Sequence, residues 1–285
     1  MPYEVRTFSN PSAFLETAQA WLEQRELENS LLLGLALRLR NDPQYYPSTP
    51  CMKIVCDQDE PAVFALMTPP HNLILSGDSP VPERALDCLI EDLRSSPWSV
   101  PGVLAQPALA EQFRKIWGDK PASRNPPQLR MRLYALRQVI PPLPSLGSMR
   151  SANAEDLQTL RDWLIAFQSE AMGALILPNA AEAMAFRRIT DGEIFFWEHQ
   201  QPVSMAASTR PTSHTISIGS VYTPPKQRRK GFASALVATL SQKLLDDGFE
   251  CITLFTDLAY PTSNHIYQQV GYQAVCDFAE YRFLV

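Results

Sequence analysis

The pattern of apolar runs and turn-forming residues in the first half of this 285-residue chain recurs in its second half. "KIVCDQDEPAVFALMTPPHNLILSG" (Lys53 to Gly77) and "EIFFWEHQQPVSMAASTRPTSHTISIGS" (Glu193 to Ser220) each hold three alternating runs separated by Pro, Asn, Asp and Ser clusters. Period-2 alternation broken in this way predicts a three-stranded antiparallel meander. A repeat of this length constrains the fold more than any single motif, because both copies must bury equivalent faces in the same element order.

Helical periodicity lies upstream of each meander. "PSAFLETAQAWLEQRELENSLLLGLALRLR" precedes the first; "NAEDLQTLRDWLIAFQSEAM" and "NAAEAMAFRRI" precede the second. Leu157, Leu160, Leu164 and Phe167, spaced by three and four, share one helical face, and Asn153 with Asp156 is an N-cap signal. Downstream, "ERALDCLIEDLRSS" matches "FASALVATLSQKLLDDG" as a helix and "SVPGVLAQ" matches "CITLFTD" as a buried strand. "ALAEQFRKIWG" matches "TSNHIYQQVGY" as a short helix, and "RMRLYALRQV" and "AEYRFLV" close the halves as strands. Two helices, a meander, then helix–strand–helix–strand predict an α/β (α+β) fold in which each half has a mixed central sheet flanked by helices. "IPPLPSLGS" (Ile140 to Ser148) holds three prolines and a glycine and reads as a linker. It sets the expected domains at 1–140 and 147–285.

Charge and composition narrow the function. A net charge of -5 speaks against a general nucleic-acid binder. The run "SLLLGLAL" (Ser30 to Leu37) is too short to span a bilayer. The opening "MPYEVRTFSN" has no basic region leading into an apolar stretch, so no secretory signal is expected. Cys51, Cys56, Cys88, Cys251 and Cys276 form no C-x-x-C pair and fit reduced thiols in a cytoplasmic protein.

The halves differ at one junction. Seven residues, "DSPVPER", separate Gly77 from Ala85, whereas fifteen, "SVYTPPKQRRKGFAS", separate Gly219 from Ala235. The longer junction places Arg228, Arg229 and Lys230 directly before Gly231 and a helix. The first amides of a helix are unpaired and its dipole is positive there. Gly231 admits close approach of a ligand to the backbone, and Ala233 keeps the next turn small. Basic side chains added to such a terminus make an anion site suited to a pyrophosphate. A solvated basic turn that only caps the helix is the plainer alternative. After the next strand, Asn264 and Tyr267 share a helical face; the first half has Phe113 where the second has Tyr267.

Arg228-Arg229-Lys230-Gly231-Phe232-Ala233 fits the Q/R-x-x-G-x-G/A motif of the GCN5-related N-acetyltransferases, and Asn264, Tyr267 and Gly271-Tyr272 resemble that family's second cofactor segment. The resemblance spans Gly147 to Val285 by motif, and the first half by architecture alone. It implies acetyl-coenzyme A as cosubstrate, no metal, and a primary amine of a small molecule or peptide as acceptor. It further implies that amides around Arg229 to Ala233 bind the pyrophosphate, with Arg228 alongside. The strand near Val221 and Tyr222 would splay to hold the pantetheine, where amide donors aimed at a developing oxyanion contribute a few kcal/mol. Positioning a neutral amine supplies much of the remaining rate. Tyr267 would protonate the departing thiolate, and Asn264 would contact the cofactor arm.

The general base stays open between Glu170, His214, the free carboxylate of Val285 and a water chain; Glu182 and Asp257 read as surface or capping groups. Without the loop, the first half is a degenerate copy expected not to bind coenzyme A. Its Trp21, Tyr45, Tyr46, Trp98 and Trp117 read as core or interface aromatics. The expected protein is a cytoplasmic monomer or homodimer with neither nucleic-acid nor membrane partner. A non-catalytic acyl-coenzyme A sensor or scaffold is the alternative; it would keep Gly231 but have no need of Tyr267. A module docking an acidic partner through the basic loop is a third reading.

Overall fold

The computed structural model describes residues 3–118, 128–173 and 175–283. Its first half runs β1 (Tyr3–Phe8), α1 (Pro11–Glu23), α2 (Glu26–Asn41), β2 (Cys51–Asp57), β3 (Glu60–Met67) and β4 (Leu73–Gly77). There follow α3 (Glu83–Arg94), β5 (Gly102–Ala105), α4 (Pro107–Trp117) and β6 (Leu129–Leu136). The second half runs β7 (Ser148–Ser151), α5 (Leu157–Met172), α6 (Pro178–Thr190), β8 (Ile194–His199), β9 (Gln201–Thr209) and β10 (Thr215–Tyr222). It continues with α7 (Phe232–Asp246), β11 (Cys251–Asp257), α8 (Pro261–Val270) and β12 (Gln273–Arg282).

Both meanders and the elements after them lie where the repeat predicts. Two strands are additions. β1 pairs antiparallel with β2, and β7 with β8. β7, "SMRS", is too short and polar to show the alternation that marks inner strands.

The chain divides into two compact units, one of Met1–Leu133, Phe255–Tyr260 and Ala274–Val285, the other of Tyr134–Leu254 and Pro261–Gln273. In the first unit the strand order is β1-β2-β3-β4-β5-β12. β4 and β5 are parallel, and β12 pairs antiparallel with β5 from Ala279↔Ala105 to Arg282↔Gly102. The strand expected to close the second half thus completes the sheet of the first. All four residues of β5 are buried, so an open edge there would leave backbone groups without partners. Ala279, Tyr281 and Phe283 then join the core beneath α3 and α4. Alternation along β2 sends Met52, Ile54 and Cys56 to the α1/α2 face and Cys51 and Val55 to the α3/α4 face.

In the second unit the order is β11-β10-β9-β8-β7, with β9 and β10 antiparallel and β10 and β11 parallel. Phe196, Met205 and Tyr222 pack with α5 and α6; Phe195, Trp197, Ile216 and Ile218 pack with α7. No helix among the described residues is long and apolar enough to cross a membrane.

The start of α5 is fixed as its capping residues predict. Asn153 Oδ1 accepts from the Glu155 amide at 2.9 Å, and Asp156 Oδ2 from the Asn153 amide at 2.8 Å. The Arg150 guanidinium donates twice to Asp156, at 2.6 and 2.8 Å, and holds that carboxyl below the usual carboxylate range. Asp156→Ala is therefore expected to cost about 2 kcal/mol in urea unfolding at neutral pH. Because the folded pKa lies below the unfolded one, this contribution is complete above about pH 4. It is lost as pH falls through the folded value, so the stability curves of the two proteins should converge in acid.

Candidate functional site

The site is built where β10 leaves β11. Their parallel pairing runs from Thr215↔Cys251 to Ile218↔Leu254, while β10 stays paired with β9 as far as Tyr222↔Met205. Three steps on β10, Gly219 to Tyr222, oppose two on β9, Ala207 to Met205, so one extra residue is bulged out. Ser220 takes a positive φ of 49° there. The strand end bearing Val221 and Tyr222 therefore turns from β11 with one backbone edge unpaired. A Cβ placed on Gly219 would meet nothing within 4 Å.

After Tyr222 the chain makes a short 3-10 turn at Pro225–Gln227 and enters α7 through Gly231, whose φ is 81°. Arg229 is also left-handed, at 63°. The first helical bond runs from the Ala235 amide to Gly231 O at 2.9 Å. Among the described residues, the amides of Arg229, Lys230, Gly231, Phe232, Ala233 and Ser234 donate to no protein acceptor. Beyond Gly231 the nearest atom to an added Cβ is Ser145 Oγ at 4.0 Å. Unfilled donors over open space fit a phosphate-bearing ligand, with the splayed edge of β10 beside them for its arm.

The basic residues do not act alike. Arg228 Nε donates to Thr223 O at 2.8 Å, its Nη2 bonds Glu170, and its guanidinium lies 5.8 Å from the Tyr222 ring centre. Lys230 Nζ donates to Gln227 Oε1 at 2.8 Å. Arg229 is exposed and has no side-chain partner among the described residues. Arg228 thus clamps the loop, and the Arg229 guanidinium stays exposed beside it. The buried side chain of Phe232 anchors α7 in the core, leaving its amide as the useful group.

Tyr267 is buried, packs edge-on against Tyr272, and its hydroxyl has no hydrogen-bond partner among the described residues. Burial pushes its phenol up to about 12. Asn264, one turn earlier, accepts from Tyr134 Oη at 3.2 Å. Tyr134 is buried on β6, 130 positions away in sequence, and no local signal could have found it. Arg188 is likewise unforeseen: its Nη1 donates to Ser220 Oγ at the bulge, 2.9 Å away. In the first half α4 begins at Pro107 and places Phe113 six positions on, as α8 begins at Pro261 and places Tyr267. Phe113 is fully buried, stacked on Trp117.

The base candidates fall in different places. Glu170 lies at the loop, with its carboxylate bonded to Arg228 and accepting from Tyr222 Oη at 3.2 Å. His214 precedes β10 at the end opposite the splay, roughly 26 Å of strand from Tyr222. Val285 lies outside the described residues. Glu182 pairs with Arg161 at 3.4 Å on the surface, and Asp257 Oδ1 caps the Ala259 amide at 2.8 Å.

Residues 157–272 match the Acetyltransferase (GNAT) family. None of the curated proteins compared with the chain matches it by sequence. An acetyltransferase of the GNAT family from Colwellia psychrerythraea is similar in structure, with a TM-score of 0.60 at 12% identity over 99% of this chain and 100% of that one. A GCN5-related N-acetyltransferase from Sphaerobacter thermophilus gives 0.61 at 14% identity, covering 98% and 95%. A tandem GNAT protein from the clavulanic acid biosynthesis pathway gives 0.60 at 11% identity, covering 98% of each chain. At these identities the likeness shows the fold, a tandem pair of GNAT-like domains along the chain, and the sequence match falls in the second copy. The stretch from residue 157 to residue 272, which carries α5 to α8 and the loop before α7, is thus similar to the Acetyltransferase (GNAT) family in sequence as well as in fold.

Proposed function

We propose that the second half transfers an acetyl group from acetyl-coenzyme A to a primary amine of a small molecule or peptide by direct attack. The observation that carries this reading is the run of unfilled amides from Arg229 to Ser234, beside a strand edge that has lost its parallel partner. When bound, acetyl-coenzyme A supplies an activated thioester. The amides and the Arg229 guanidinium hold its pyrophosphate, and the edge of β10 near Val221 and Tyr222 orients the arm and offers a donor to the carbonyl oxygen. Asn264, held by Tyr134, contacts the arm. Glu170 and Tyr222 keep Arg228, and so the loop, in place.

Tyr267 keeps its proton on Oη at neutral pH, because its phenol titrates at about 12. An ordinary thiol titrates near 8.5, so complete transfer of that proton to the leaving sulfur is uphill by roughly 5 kcal/mol. In this reading Tyr267 stabilises the leaving sulfur by donating a hydrogen bond, and solvent completes protonation. A docking site without catalysis would have no use for such a hydroxyl, which favours the enzyme over the sensor. Thiol release from acetyl-coenzyme A measured across an amine panel tests the reading. Tyr267→Phe is expected to lower turnover about a hundredfold while leaving coenzyme A affinity within about twofold. Absence of thiol release with every amine in the panel would leave the sensor reading in its place.

A further inference from the structure

The first unit holds a partly open cavity of about 90 Å³ where its own parallel strands part. β4 and β5 pair only at Leu73↔Val103 and Ile74↔Leu104, yet β4 continues against β3 as far as Gly77. The short loop after β4 closes the gap from above. Val81 Cγ2 lies 3.1 Å from where a Cβ on Gly77 would sit, and Gln112 Nε2 on α4 donates to Val81 O at 2.9 Å. The volume admits several waters or a molecule of a few heavy atoms, far less than a nucleotide. No Lys, Arg or His is among the residues lining it, and α3 begins with Glu83. Phosphate is therefore disfavoured where the other copy attracts it.

The cavity offers a carboxylate instead. Glu28 lines it, half-buried in the first turn of α2. Glu28 has neither an ion-pair nor a hydrogen-bond partner among the described residues. The wall beside it is rigid: Ser76 Oγ donates to Asn29 Oδ1, and Asn29 Nδ2 to Leu22 O at 3.0 Å. Leu31, Leu32 and Leu109 supply an apolar lining. A carboxylate lacking a counter-charge above an apolar floor is complementary to an organic cation with a short hydrocarbon tail.

We propose that this cavity binds a small primary ammonium ion, with its nitrogen on Glu28 and its carbon chain against Leu31, Leu32 and Leu109. The proposal does not rest on acetyl transfer by the second half. Its test is a methyl NMR titration of the full chain with propylammonium, using 1-propanol as the neutral counterpart. Saturable shifts at Leu31, Leu32 and Leu109 are expected with propylammonium, and affinity at least tenfold weaker for propanol. Glu28→Gln should weaken propylammonium binding tenfold or more, with methyl signals elsewhere unmoved. Ala108→Phe, at an exposed lining position, should block the cavity without touching the core. Shifts that do not saturate, equal affinity for the two probes, or binding that survives both substitutions would overturn the proposal.

Discussion

Gly231→Glu is expected to abolish coenzyme A binding, reducing the calorimetric signal to that of buffer. Three effects act together. The new carboxylate would stand among amides and basic side chains assigned to a pyrophosphate, so it would repel the ligand and compete for its donors. Its side chain would fill space that is now open beyond Gly231. It would also force an L-residue to φ 81°, at about 1–2 kcal/mol. Gly231→Ala separates these effects, since it carries the backbone cost and almost no bulk; its affinity should stay within about tenfold of the parent. Both variants should unfold cooperatively. Unchanged affinity in Gly231→Glu would remove the pyrophosphate assignment, and acetyl transfer with it.

The fragment 147–285, the domain as the linker marks it, is expected not to fold on its own. It lacks β5, against which residues Ala279 to Arg282 of β12 are paired. Phe278, Tyr281 and Phe283 would be left exposed, forfeiting roughly 6 kcal/mol of burial. That loss is comparable to the whole stability of a domain. The fragment also lacks Tyr134, the partner of Asn264. Circular dichroism and thermal melting check this: an insoluble product or a non-cooperative melt is expected. A sharp transition with coenzyme A affinity equal to that of the full chain would refute it.

The meanders, the helices around them and the change from antiparallel to parallel pairing could be read from sequence, because each is written in local periodicity. The loop proposed to hold the cofactor could be picked out because a glycine and a run of basic residues stand together in sequence. The partner of β12 could not be. "AEYRFLV" fits the edge of either parallel strand equally well, and only the buried edge of β5 decides between them. Arg228 shows the same limit in the site. Its charge is plain in sequence, but its attachment to Glu170 and Thr223 O depends on how α5 and the loop meet. Glu170 could thus be picked as a polar group near the site, whereas its part in holding the loop could not.

The return of residues 274–283 to the company of residues 1–133 reverses the usual order of maturation. Synthesis runs from the N-terminus, and most domains fold as they leave the ribosome. Here the earliest-made unit must wait, at about 5–20 residues per second, while more than a hundred further residues are added. Until then the rim of β5 is bare and attractive to other strands. Nascent chains of this protein are therefore most vulnerable to aggregation early in their lives, in the first half.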